Sequence, residues 1–208
     1  VIKKKPGLWV KIKKIGHEKW FDLLKACAPV LIASIFGTYI AHHLKVLDET
    51  QAIYKESRDA ANQLALNVTD SLSQRRFYAV RAAIAFQFHK NELSTYDEYD
   101  RHVKDWNDKL SSNLILIRRY FGEEKVKDLA VVIKKMNNEH QELLQARNAC
   151  IDGATMPDLS EKTGVLHRLY DLDQDVSDYG DGLQAQLESG HVGVYKDRAV
   201  PPLKQPKN

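Results

Sequence analysis

From Ala26 to Leu44 the chain runs 19 residues, ACAPVLIASIFGTYIAHHL, without an Asp, Glu, Lys or Arg. At about 1.5 Å per residue a helix of that length rises roughly 28 Å, close to the ~30 Å hydrocarbon core of a bilayer. A core helix of a soluble protein rarely combines so long an uncharged run with a lysine cluster before it. The sequence therefore predicts one transmembrane helix over residues 21–44. Phe21, Leu23 and Leu24 extend the run backwards past Asp22 and Lys25, whose charged ends can reach the interface. Trp20 and Tyr39 suit the interfacial aromatic belt, and Pro29 and Gly37 are tolerated in membrane helices.

The flanks give an orientation. Leu8, Trp9, Ile12 and Ile15 recur at three- and four-residue steps with Lys11, Lys13 and Lys14 between them, the pattern of an interfacial amphipathic helix. Trp9, Trp20, Tyr39, Lys11, Lys13 and Lys14 form the expected membrane-anchoring set. Residues 1–25 carry eight Lys against Glu18 and Asp22, whereas residues 45–59 carry Lys45, Lys55 and Arg58 against Asp48, Glu49, Glu56 and Asp59. By the positive-inside rule the N-terminus is cytosolic and the body lies outside, which in a bacterium means an inner-membrane protein with a periplasmic body. The small-x-small pattern of a leader-peptidase site is missing after the apolar run, where Tyr39 intervenes, so the segment is expected to be an uncleaved signal anchor. Lys25 just before Cys27 argues against lipidation there.

Of the formal charge of +3, the first 25 residues hold +6, leaving −3 for the rest, so nucleic acid is not an expected partner. Hydrophobic residues at 43% and charged residues at 28% are globular values, which exclude a wholly disordered chain. From Lys45 to about Lys90 there is no Pro or Gly, which predicts one long helix. Thr95 and Glu98 form a capping box for a helix over about 96–121, ended by Gly122; helices over about 123–149 and 160–188 follow. Their apolar seams are Tyr99, Val103, Trp106, Leu110, Asn113, Ile117, Tyr120; then Val126, Leu129, Ile133, Met136, His140, Leu143; then Val165, Leu169, Leu172, Val176, Tyr179, Leu183. Near-heptad order in three helices predicts coiled-coil-like packing in an all-α fold. The expected layout is a basic amphipathic segment (1–20), the transmembrane helix (21–44), a helical stalk (45–64), an antiparallel four-helix bundle (65–188) and a basic tail with three Pro (189–208).

Chemistry-bearing constellations are few. Two Cys exclude a disulfide framework, and Cys150 is expected as a packed small residue. No Glu-x-x-His occurs, and the pairs Glu98/His102 and His167/Asp171 fall on outward positions. The run Asp171, Asp173, Asp175 opens like a calcium loop but has Val176 where the turn needs Gly and Gly182 where the bidentate Glu belongs. Asp171, Asp175 and Asp178 are expected to form a solvated acidic stripe. Asn113 and His140 are expected as buried polar residues that fix register, with His140 opposite Trp106 or Asp105. The stretch FYAVRAAIAFQF (77–88) puts Phe77, Val80, Ile84 and Phe88 on one face and Tyr78, Ala82 and Ala85 on another. The first face is the candidate interface, for a protein partner or a second copy.

No catalytic residue, metal ligand, cofactor or small-molecule substrate is expected. The sequence points to a membrane-anchored scaffold, accessory subunit or sensor-like module acting through protein–protein contact. The alternative is a membrane-perturbing effector whose amphipathic start and span form a pore.

Overall fold

The computed structural model describes residues 17–196, and among them every regular element is helical. Helix α1 is His17–Gln87, α2 is Glu92–Phe121, α3 is Glu123–Asp152 and α4 is Val165–Ser189, followed by a 3-10 turn at Gly193–Tyr195. Trp9, Lys11, Lys13 and Lys14, and the end of the basic tail from residue 197, lie outside the described residues, as does the side chain of Trp20. The chain divides into two compact units at Gln51/Ala52.

In the first unit α1 continues unbroken through Pro29. Val30, Leu31, Ile32, Ile35, Phe36, Tyr39, Ile40 and Leu44 point outward around the helix, and none is covered by protein. The most apolar 18-residue window has a mean hydropathy of 1.5 and none of it is buried. The hydroxyls inside this region turn back on their own helix: Thr38 Oγ1 donates to Ser34 O at 2.8 Å and Thr50 Oγ1 to Val46 O at 2.7 Å. By length and composition this helix can cross a membrane.

The second unit has one hydrophobic core fed by all four helices. Near the first turn, α1 meets α2 through Arg81–Glu98 at 3.0 Å and Phe86–Tyr96 at 6.1 Å between ring centroids. Helix α2 meets α3 through Arg118–Glu123 beside Gly122 and through Tyr99–His140 far from it. Helix α3 meets α4 at Lys135–Asp175 and Glu139–Arg168, and α4 meets α1 at Arg76–Asp173. In each of the three sequential pairs, as the residue number rises on one helix it falls on the other, so sequential neighbours run in opposite directions.

The connections explain how this is reached. A single residue, Gly122, separates α2 from α3 at φ 95°, ψ 177°, a backbone region that side chains rarely adopt. Its N–H donates to Ile117 O and Arg118 O, both at 3.2 Å, closing the end of α2. Helix α2 starts at Glu92, earlier than expected, because left-handed Asn91 turns the chain into it. Thr95 therefore lies inside the first turn, where its hydroxyl donates to Asn91 O at 2.9 Å instead of capping. Helix α4 starts later than expected, at Val165. Asp158 holds the preceding loop by accepting from Ser160 N–H at 3.0 Å and Thr163 Oγ1 at 2.9 Å. These bonds also hold the Asp158 carboxyl below its ordinary range, the Ser160 backbone N–H first.

Two expected boundaries move. Tyr54, Ala61 and Leu64, assigned to the stalk, are buried, so the packed unit opens at Ala52 instead of 65. Val192, assigned to the tail, is also buried, and Tyr195 packs edge-on against Tyr54 with 5.2 Å between ring centroids. The α4 seam lies in the core as read from the sequence. The α2 seam does so at Tyr99, Val103, Trp106 and Ile117, with Leu110, Asn113 and Tyr120 half-buried, and the α3 seam at Val126, Leu129, Met136 and Leu143. On α3, however, Val132 and Glu139 are buried in place of Ile133 and His140, which are half-buried. Facing α2 and α4 together turns α3 by one position at those two points.

Candidate functional site

The outward face of α1 is the first candidate. Helix α1 turns Ala65, Val68, Leu72, Ala79, Ala82, Ala83 and Phe86 into the core. At about 100° per residue, Phe77 and Ile84 fall on the opposite side, and Phe88, just past the end of α1, continues their register because its N–H donates to Ile84 O at 3.0 Å. They are 52%, 38% and 61% exposed. Val80, expected on the same face, is half-buried and packs against the core. Leu66, not read from the sequence, is exposed in register with Phe77 and Ile84. Arg81 stands at the edge of this face with its guanidinium 5.9 Å from the Phe77 ring centroid and 5.4 Å from that of Tyr78. Tyr78 in turn stacks on His102, 3.9 Å between centroids and 14° apart in plane.

The second candidate is a polar centre inside the helices. Arg75 is 2% exposed, on the buried face of α1 between core residues Leu72 and Ala79. Its Nη2 donates to Asn137 Oδ1 at 2.9 Å, whereas Nε and Nη1 are buried without a hydrogen-bond partner. Burial pushes the Arg75 guanidinium below its ordinary value, partly offset by Tyr99. The Tyr99 hydroxyl sits 3.1 Å from His140 Nδ1, so His140 faces Tyr99 and not Trp106 or Asp105. Burial pushes the Tyr99 phenol well up, which keeps it protonated, and burial followed by the Arg75 charge pushes His140 down, which favours the neutral ring. Asn113 is half-buried and outside this group, and neither it nor His140 is fully buried as expected.

The buried polar residues are instead Arg75 and Glu139. Glu139, 5% exposed, accepts from Arg168 Nε at 2.9 and 3.1 Å through its two oxygens. Arg168 Nη2 lies 2.7 Å from Glu142 Oε2 as an ion pair. Desolvation raises the Glu139 carboxyl above its ordinary value against the pull of Arg168. The same contact, its hydrogen bond first, raises Arg168. Burial thus opposes the Glu139 charge while Arg168 supports it, the two opposing effects of a buried ion pair.

The remaining sequence candidates disperse. Glu98 pairs with Arg81 instead of joining His102, and His167 meets only Asp171, at 3.6 Å on an exposed surface. Among the described residues no three His, Cys, Asp or Glu converge as a metal site. Of the expected acidic stripe, Asp175 also ties α4 to Lys135 at 2.6 Å, and Asp173, outside the stripe, ties α4 to Arg76 at 2.7 Å. Cys150 is a free thiol, half-buried against the core. A surface cavity of about 500 Å³ is lined by Ile53, Glu56, Ser57, Arg119, Tyr120 and Lys196, among others. Comparison of the chain with protein-family profiles, curated proteins and solved structures gives no match.

Proposed function

We propose that this chain is a single-pass protein of the bacterial inner membrane, N-terminus cytosolic, whose periplasmic antiparallel four-helix bundle acts by binding protein. The observation that carries the reading is the outward face of α1. Phe77, Ile84 and Phe88 stay exposed there, directly across the helix from a fully packed alanine-rich face. Three large apolar side chains in one register mark a contact surface more readily than scattered single ones. The membrane half of the proposal is supported by an apolar run that no part of the protein covers and by the lysine excess before it. The reading assigns the chain no catalysis and no small-molecule substrate.

The test uses the full chain in membranes. Chemical cross-linking of the wild type is expected to give adducts, with either a second copy or another envelope protein. Phe77→Ser/Ile84→Ser/Phe88→Ser is expected to lose them at least tenfold while keeping its helicity by circular dichroism. Undiminished adducts in that variant would exclude this face.

A further inference from the structure

The surface cavity of about 500 Å³ takes its lining from three parts of the packed unit: α1, the last turn of α2, and the 3-10 turn with Lys196 after it. Gly193 lets them meet. It stands at φ 60°, and a Cβ there would overlap the Ser57 hydroxyl on α1, so a glycine is needed to bring the turn this close. The volume falls within the range of small-molecule sites.

Opposite charges line this cavity without meeting. Among the described residues Glu56 and Arg119 have no ion-pair partner, and the Ser57 hydroxyl makes no hydrogen bond. The Arg119 guanidinium lies 5.5 Å from the Tyr120 ring centroid, which leaves its donors unspent. Lys196 Nζ donates to Arg118 O at 3.0 Å and keeps donors to spare. Its charge also acts on Glu123, a carboxylate that Arg118 already holds at 2.6 Å. The remaining lining includes the apolar Ile53, Ala60 and Val194. Ile53 and Val194 are each 54% exposed.

These groups select a ligand by chemistry. A guanidinium fork matches phosphate oxygens, and an ammonium adds a point charge beside it. Phosphate alone would set Glu56 against a second anion and leave the apolar lining bare. A head group with both a phosphate and a primary ammonium answers every group: the phosphate accepts from Arg119, Lys196 and Ser57, and the ammonium donates to Glu56. An attached acyl chain covers Ile53 and Val194.

We propose that this cavity binds the head group of an aminophospholipid, with the phosphate on Arg119 and Lys196 and the ammonium on Glu56. That such a lipid is at hand rests on the proposed membrane span, because Leu44 precedes Ile53 by only nine residues. The site itself belongs to the packed unit, so lipid offered in solution reaches it with or without a span.

The experiment is thermal unfolding of the full chain in non-ionic detergent with dihexanoyl phosphatidylethanolamine. The comparisons are the dihexanoyl glycerol and choline phospholipids and O-phosphoethanolamine at equal concentration. The ethanolamine lipid is expected to raise the midpoint saturably by a few degrees, since a ligand of the folded state stabilises it by mass action. Its affinity is expected to exceed that of the other two lipids by about threefold or more. Glu56 and Arg119 are exposed, so substituting them spares the core. Arg119→Gln is expected to weaken binding about tenfold, the worth of a charge-assisted hydrogen bond, and Glu56→Gln to remove the preference for the ethanolamine lipid over the glycerol lipid. An equal response to O-phosphoethanolamine would assign the site to a free zwitterion and overturn the proposal. Equal responses to all three lipids, a response that both variants keep, or no response would overturn it as well. Retention of the chain in membranes after alkaline extraction tests the span separately, so failure of the site and failure of the membrane reading are distinct results.

Discussion

Glu139 and Arg168 form a lopsided pair, the carboxylate side chain 7% exposed and its partner 38%. Removing either end should therefore have unequal consequences. Arg168→Ala leaves a buried carboxylate unpaired and is expected to cost about 2 kcal/mol, below the range for fully buried pairs because water reaches the vacated side. Glu139→Gln keeps an acceptor for Arg168 Nε and removes the desolvated charge, so it is expected to cost about 1 kcal/mol or less. Urea midpoints of the two full-length variants check the order, and equal losses would contradict it. Neither Glu139 nor Arg75 was legible as buried. Each sits one position from, or within, an apolar face, and a charged residue there reads as a solvated edge. Only the partner helix, which brings Arg168 or Asn137 across, makes burial tolerable. Asn113 and His140 misled in the opposite sense: their seam spacing is correct, but α3 turns His140 to the rim, where Tyr99 meets it.

At the scale of elements, only one of two neighbouring glycines on α4, which the sequence does not distinguish, sets a close helix approach. A Cβ on Gly180 would fall 3.0 Å from Thr69 Cγ2 on α1, a packed and branched neighbour. A Cβ on Gly182 would fall 2.9 Å from Lys125 Nζ, the end of a chain that can swing away. Gly180→Leu is expected to destabilise by about 2 kcal/mol through overpacking. Gly182→Ala is expected to be neutral or to stabilise by up to about 1 kcal/mol through helix propensity. Thermal midpoints of the two variants test this directly. Helix existence, the α4 seam and most of the α2 and α3 seams were readable because long apolar periodicity is a strong signal. Starts were less so. Side-chain bonds from Asp158 compete with the helix before Val165, and left-handed Asn91 starts α2 before the apparent capping box. The outward position of Phe77, Ile84 and Phe88 was readable only as a face, because spacing gives registers and not which register the core takes.

At the scale of the molecule, two units of different character follow from two patterns in one sequence. Residues apolar on all sides leave nothing for a protein core to contact, whereas residues apolar on one side pack into the second unit. The dividing point at Gln51/Ala52 was not legible. Tyr54 and Ala61 look like a sparse stalk face, yet both are buried, and Tyr195, distant in sequence, packs on Tyr54. The central claim is that the first unit is embedded in lipid while the second acts by contact with protein. Alkaline carbonate extraction of membranes carrying the full chain tests the embedding most directly. The chain is expected to remain in the membrane pellet and to be released only by detergent; its appearance in the alkaline supernatant would contradict the account.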